Sequence, residues 1–250
     1  MFSMFLRVVV CVLICLILPT SLAIAQTAPT PAPRPWRLNF GAGLALTNGN
    51  KDTSTYNASY NIIYTPHPRR TFKSDALLLR GTTDGELSNE RFGLNLREEY
   101  RVGDRIFVFG QNQYQRDRFK RIQYLVAPTG GVGVTAVKTD RTTLTIDAGA
   151  GGVWEKNPYV DVRASGAVTF GQKWTQSVSH TTTLTQSVSG LWKTEDLADS
   201  SYQFSIALAV GINARVQLKI EALDNYSSKP TDTRVEKNDI STLFAVVFKN

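Results

Sequence analysis

The segment Trp36–Tyr64, WRLNFGAGLALTNGNKDTSTYNASYNIIY, alternates in character along two runs with a turn between them. Trp36, Leu38, Phe40, Ala42, Leu44 and Leu46 fall on one face. Arg37, Asn39, Gly41, Gly43, Ala45 and Thr47 fall on the other. A strand sends successive side chains to opposite sides, so this pattern is a strand with one apolar face and one small or polar face. Asn48, Gly49 and Asn50 suit a tight reversal, because they tolerate positive φ. The return run repeats the rhythm, with Tyr56, Ala58, Tyr60, Ile62 and Tyr64 set against Thr55, Asn57, Ser59 and Asn61. Each run exceeds the usual strand length of about five or six residues. At about 3.3 Å per residue and a tilt near 45°, it is long enough to cross an apolar layer of about 25 Å. The expectation is a transmembrane β-hairpin.

The composition permits this. Among 250 residues, 28 Lys and Arg face 21 Asp and Glu, a net charge of +7. The mean hydropathy of -0.17 does not argue against a barrel, where only alternate strand residues meet lipid. The basic balance is scattered rather than blocked, so no nucleic-acid partner is expected. Both cysteines, Cys11 and Cys15, lie in the N-terminal apolar run, leaving no thiol for a disulfide or metal in a processed chain.

That run reads as an address. One positive charge in residues 1–7 precedes Val8–Leu18 and then Ala23-Ile24-Ala25, the pattern of a signal peptide spanning 1–25 and cleaved after Ala25. Neither cysteine follows the small residue of a lipoprotein signal. Residues 26–35 are proline-rich and read as an extended linker. The barrel domain is expected over 36–250.

Downstream, alternating runs recur to the end of the chain, and no helical period interrupts them. Tyr202, Phe204, Ile206, Leu208, Val210 and Ile212 form the most regular run. Two runs leave their facing open: in the third, Ala76 and Leu78 compete with Leu77 and Leu79, and the fifth, Ile106–Gln115, has no clear register. A kink or bulge is expected in the sixth, around Pro128 and Gly130-Gly131. Loops are expected over Thr82–Asn89, Arg116–Arg121, Glu155–Asp161, Lys193–Ser200 and Asn225–Asp239, on the external side. Shorter turns are expected on the periplasmic side. The fold class is therefore all-β, a transmembrane antiparallel β-barrel of about 12 strands, bounded by two aromatic belts. Trp36, Tyr64, Phe72, Tyr100, Phe107, Trp174 and Phe248 fall at the periplasmic ends. Tyr56, Phe92, Tyr114, Tyr124, Trp154, Trp192 and Tyr202 fall at the external ends. Such rings favour the headgroup boundary.

Several stretches resemble one bacterial family: the turn at Asn48-Gly49-Asn50, the block QYQRDRFKRIQYLVAPTGGVG over Gln113–Gly133, and Tyr226-Ser227-Ser228-Lys229-Pro230 followed by Lys237-Asn238-Asp239. It is the YdiY-type family of salt-induced outer membrane proteins, a domain of unknown function. The resemblance covers about Trp36–Phe248. It implies an outer-membrane β-barrel and a link to salt or osmotic stress, without an established chemistry. One departure is the C-terminus, where Lys249 and Asn250 follow the aromatic Phe248.

Catalysis is not expected. The two histidines, His67 and His180, fall in turns on the periplasmic side, and a rim hydrolase would need its base on the external side. Asp224, Asp232, Glu236 and Asp239 lack the ligand spacing of a calcium loop, and no metal or cofactor is expected. Arg37, Arg97, Asp147, Arg163, Lys173, Lys219 and Glu221 are the candidate lumen charges, which need either water or one another. Arg116, Arg118, Lys120 and Arg121 form a candidate lipopolysaccharide-contact loop. Three functions stand open: a non-enzymatic envelope protein, a passive pore for small solutes or ions, and a surface-loop adhesin or rim enzyme. The expected partners are outer-membrane lipid, lipopolysaccharide and, during biogenesis, the barrel-assembly machinery, with the protein a monomer exported to the bacterial outer membrane.

Overall fold

Long alternating runs with short connections can satisfy their backbone only by pairing edge to edge, and in lipid the last edge must meet the first. The computed structural model describes residues 35–47, 53–118, 120–230 and 237–249. The signal-peptide segment, most of the linker and the Asn48-Gly49-Asn50 turn lie outside these. The described strands begin with β1 (Trp36–Thr47), β2 (Thr53–His67), β3 (Arg70–Thr83) and β4 (Glu86–Arg101). They continue with β5 (Ile106–Asp117), β6 (Ile122–Lys138), β7 (Thr142–Lys156) and β8 (Arg163–Ser177). The last four are β9 (Thr182–Lys193), β10 (Asp196–Gly211), β11 (Val216–Ser227) and β12 (Asn238–Lys249). Every strand is antiparallel to its sequence neighbours, and β12 closes on β1. This is the closed, 12-stranded all-β barrel that the alternation predicts.

The opening hairpin has the expected register, from Trp36 opposite Tyr64 to Thr47 opposite Thr53. Its apolar face is the outer one. Phe40, Leu44, Val132, Ile220 and Phe244 all stand exposed on the outer wall, where lipid rather than water is the natural neighbour. Belts of rings edge this wall. Trp36 stacks on Tyr64 at 4.0 Å and Tyr64 lies 6.2 Å from Phe72 at one end. Trp192, Tyr202 and Tyr226 form a chain at the other.

The cross-section folds sharply at two opposite places. At the β1–β12 seam, a Cβ on Gly43 would lie 1.9 Å from the Phe244 carbonyl. Only glycine permits that approach, and the Asn57 side-chain amide reaches over it to the same carbonyl at 3.5 Å. Six strands away, Cβ atoms on Gly131 and Gly151 would meet the carbonyls of Ala148 and Pro128 at 2.1 Å. β6 and β8 come within 8 Å of each other across β7. Each fold is filled by apolar lumen side chains. Leu79 meets Leu223 and Leu243 beside the seam. Ala127, Val153, Ala167 and Leu191 pack together in the other fold.

Four expectations need correction. Phe107 is not in the periplasmic belt: it points into the lumen and is 5% exposed. Its parity opposes that of Tyr114, which does face out, and a regular strand cannot turn both to lipid. Thr82–Asn89 is not a loop, because β3 and β4 run on to a two-residue turn at Asp84-Gly85 with φ of 52° and 81°. Lys193–Ser200 likewise shrinks to Thr194-Glu195. Two external connections are therefore tight, while those after β7 and β11, at 157–162 and 228–237, are the longest between strands, and each periplasmic connection between described strands is of four residues or fewer. No register shift of this hairpin falls near Pro128, the shift lying instead at Thr135/Val137, while the close approach at Gly131 is within the stretch where a kink is expected. The ambiguous third strand resolves with Ala76 and Leu78 outward, and Leu77 and Leu79 inward.

Candidate functional site in the lumen

Inward positions of the periplasmic half carry a belt of charge. Arg97 is its centre. From β4, its guanidinium donates to Glu99 Oε1 at 2.8 Å, Gln111 Oε1 at 2.9 Å and, across the lumen, Asp147 Oδ2 of β7 at 3.0 Å. The same group lies 3.8 Å over the Phe109 ring. Planar, charge-assisted contacts of this kind fix an arginine in one orientation. Glu99 also takes Lys73 Nζ at 2.7 Å. On β11, Lys219 pairs with Glu221 at 2.6 Å. Asp75 accepts from Asn95 at 3.3 Å. Lys173 faces Lys73, Lys219, Asp75 and Glu99 without a direct bond to any of them. The belt holds four cations (Lys73, Arg97, Lys173, Lys219) and four anions (Asp75, Glu99, Asp147, Glu221), so its net charge is zero.

Arg97, Asp147, Lys173, Lys219 and Glu221 are thus brought into one neighbourhood, as their parity suggests. Arg37 and Arg163 are not, since both stand exposed at strand ends, Arg37 on the periplasmic side and Arg163 on the external one. Lys73, Asp75 and Glu99 belong to the belt and were missed. The unresolved facing of β3 concealed the first two, whereas Glu99 shares the parity of Arg97 and was readable.

Above the belt, between the two apolar folds, the walls are polar and small. Gly93, Asn95, Gln113 and Gln115 line β4 and β5. Ser187, Ser189, Gln203 and Ser205 line β9 and β10 on the opposing side. Beside Gly93 there is nothing within 4 Å of a Cβ position, so open space adjoins it. Lys173 is also exposed, although barrel wall surrounds it. A lysine deep in a barrel stays charged only where water reaches it.

A crossbar spans the external mouth. Lys120, in the β5–β6 connection, turns inward and donates from Nζ to the Asn225 carbonyl of β11 at 3.0 Å. Its backbone amide is held by Asp117 at 2.9 Å. Burial keeps the Lys120 amine below the ordinary lysine value, and Asp239 opposes that shift. A second rim cluster joins Lys193 to Glu155 at 2.7 Å and to Asp199 at 2.8 Å. The structure therefore divides the candidate lipid-contact loop: Lys120 serves the mouth, while Arg116 and Arg118 lie on the outer side. Arg121 is exposed and holds a positive φ of 56°. Asp224 and Asp239 sit on strand positions of opposite parity, and Asp232 and Glu236 lie outside the described residues. Among the described residues, no three His, Cys, Asp or Glu side chains gather as metal ligands do. His67 Nδ1 accepts from the Arg69 amide at 3.2 Å, in the periplasmic turn after β2.

Residues 40–249 match the family described as "Protein of unknown function, DUF481". The chain belongs to this family. A curated relative is the uncharacterized protein YdiY of Escherichia coli (strain K12), 24% identical over 235 residues, covering 87% of this chain and 84% of the relative. Among solved structures, the NanC porin superposes with a TM-score of 0.50 at 11% identity, covering 84% of this chain and 98% of the porin. The COG4313 outer membrane channel from Pseudomonas putida F1 gives a TM-score of 0.50 at 10% identity, covering 91% and 100%. At these identities the likeness is one of fold. This DUF481 chain is an outer-membrane-type barrel.

Proposed function

We propose that this DUF481 barrel is a narrow, non-enzymatic channel of the bacterial outer membrane, passing small hydrophilic solutes and ions without strong charge preference. The observation that carries this reading is Lys173, an inward lysine that is open to solvent in the middle of the belt. Open space adjoins Lys173 as it adjoins Gly93, and water in that space would keep the lysine hydrated. Two apolar clusters limit its width, Leu79–Leu223–Leu243 near the β1–β12 seam and Ala127–Val153–Ala167–Leu191 across β6 to β9. Twelve strands lie between the filled eight-stranded barrel and the open sixteen-stranded porin, which agrees with a narrow slot. A belt with equal numbers of cations and anions favours neither sign of ion. In this reading the chain reaches the membrane as a monomer, through a signal peptide cleaved after Ala25 and the barrel-assembly machinery.

A liposome-swelling assay tests it. Vesicles carrying folded protein are expected to admit glycine and small sugars and to exclude larger oligosaccharides. Swelling no faster than protein-free vesicles would overturn the channel reading. It would favour a second one, suggested by the Lys120 crossbar: a closed barrel braced by ion pairs. The link to salt stress implied by the family resemblance concerns expression, and transcript abundance at low and raised sodium chloride tests it.

A further inference from the structure

The outer wall carries a basic patch at the external ends of β3, β4 and β5. Strand register sets Arg80 opposite Glu90 and Leu78 opposite Phe92. It also sets Phe92 opposite Arg116 and Leu94 opposite Tyr114. Arg118 follows Arg116 and bonds through its amide to the Glu90 carbonyl at 3.1 Å. The outermost row is therefore Arg80–Glu90–Arg118, with Arg116 just below it and an apolar field beneath. Three guanidinium groups meet one carboxylate. Glu90 contacts Arg118 at 3.5 Å, and the Arg118 side chain is 66% exposed. Among the described residues, Arg80 and Arg116 have no ion-pair partner and are exposed. Directly below, Leu78, Phe92, Leu94 and Tyr114 line a groove of about 490 Å³ that also touches Glu90 and Arg116.

We infer that this patch binds a phosphorylated glycolipid of the outer leaflet, its phosphate on Arg80, Arg116 and Arg118 and an acyl chain in the groove below. Two properties select that occupant. The groove lies on the lipid-facing wall, so its contents are acyl chains rather than a soluble ligand. The excess positive charge sits at the headgroup level directly over it, where a planar guanidinium can take a phosphate with paired donors. An uncharged lipid would leave Arg80 and Arg116 uncompensated, and a zwitterionic one would bring a cation of its own beside them. The site differs from the loop named by sequence: Arg80 joins it, and Lys120 is engaged at the mouth.

Native mass spectrometry of the folded barrel in detergent tests this, using a bisphosphorylated lipid A-type glycolipid and the same lipid without its phosphates. The phosphorylated lipid is expected to remain bound, and the combined variant R80Q/R116Q/R118Q to bind it about tenfold more weakly or worse. R70Q, which removes an outward arginine paired with Glu98 at 2.6 Å at the opposite end, is expected to bind as the unaltered protein does. Should the combined variant fail to fold, R116Q alone is expected to show a partial loss. Equal retention of the phosphate-free lipid, undiminished binding by the variants, or an equal loss in R70Q would each overturn the inference. Displacement by millimolar inorganic phosphate would overturn the lipid as occupant.

Discussion

Arg97 shows how one side chain organises the lumen. Its side chain is 11% exposed and that of Asp147 15%, so removing either leaves the other as a poorly hydrated charge. Such a deletion costs about 3 kcal/mol, and Arg97→Ala is expected to lose that much in urea unfolding followed by tryptophan fluorescence. Asp147→Asn keeps the shape and one acceptor, so its loss should be smaller. A cost for Arg97→Ala within experimental error would mean the belt is fully solvated. This residue's inward facing was legible because Phe92, Leu94, Leu96 and Tyr100 fix the parity of β4. Lys73 and Asp75 were not legible. β3 is apolar on both faces where Leu77 and Leu79 enter the lumen, so alternation of hydrophobicity disappears there.

At the level of elements, the seam between β1 and β12 is the shortest pairing, running from Asn39 opposite Lys249 to Ala42 opposite Val246. Above it the closure depends on Gly43 lying against the Phe244 carbonyl. Gly43→Val must push the two strands apart and is expected to cost about 2 kcal/mol, seen as a lower temperature for loss of the folded band on a gel. Gly93→Val, whose side chain would enter open space, is the control: its gel transition should match that of the unaltered protein while solute entry slows. Equal destabilisation by both would show that the seam has no special tightness. Strand positions were readable because lipid imposes a two-residue period on most of the crossings. Strand ends were not: polar residues of Thr82–Asn89 and Lys193–Ser200 serve a protruding strand as well as a loop, and no lipid face distinguishes the two.

For the whole molecule, the closed twelve-stranded barrel followed from the count and length of alternating runs. The pair of tight folds did not. It depends on which strands place glycine inward at the folds, and parity alone does not show that Gly43 and the Gly131–Gly151 region lie six strands apart. Lys120 crosses the external mouth to β11. Lumen balance sets a further expectation: Arg97→Ala leaves an excess anion in the belt and should shift the reversal potential in a salt gradient toward cation preference. No shift would place the belt outside the conducting path.

Single-channel recording across a planar bilayer, with protein refolded from Gln26 onward and shown to be heat-modifiable, bears most directly on the channel. Small, discrete current steps of weak ion selectivity are predicted, and Lys120→Ala should enlarge them by freeing the mouth. A silent membrane, with both the unaltered protein and Lys120→Ala demonstrably folded in it, would contradict an open lumen.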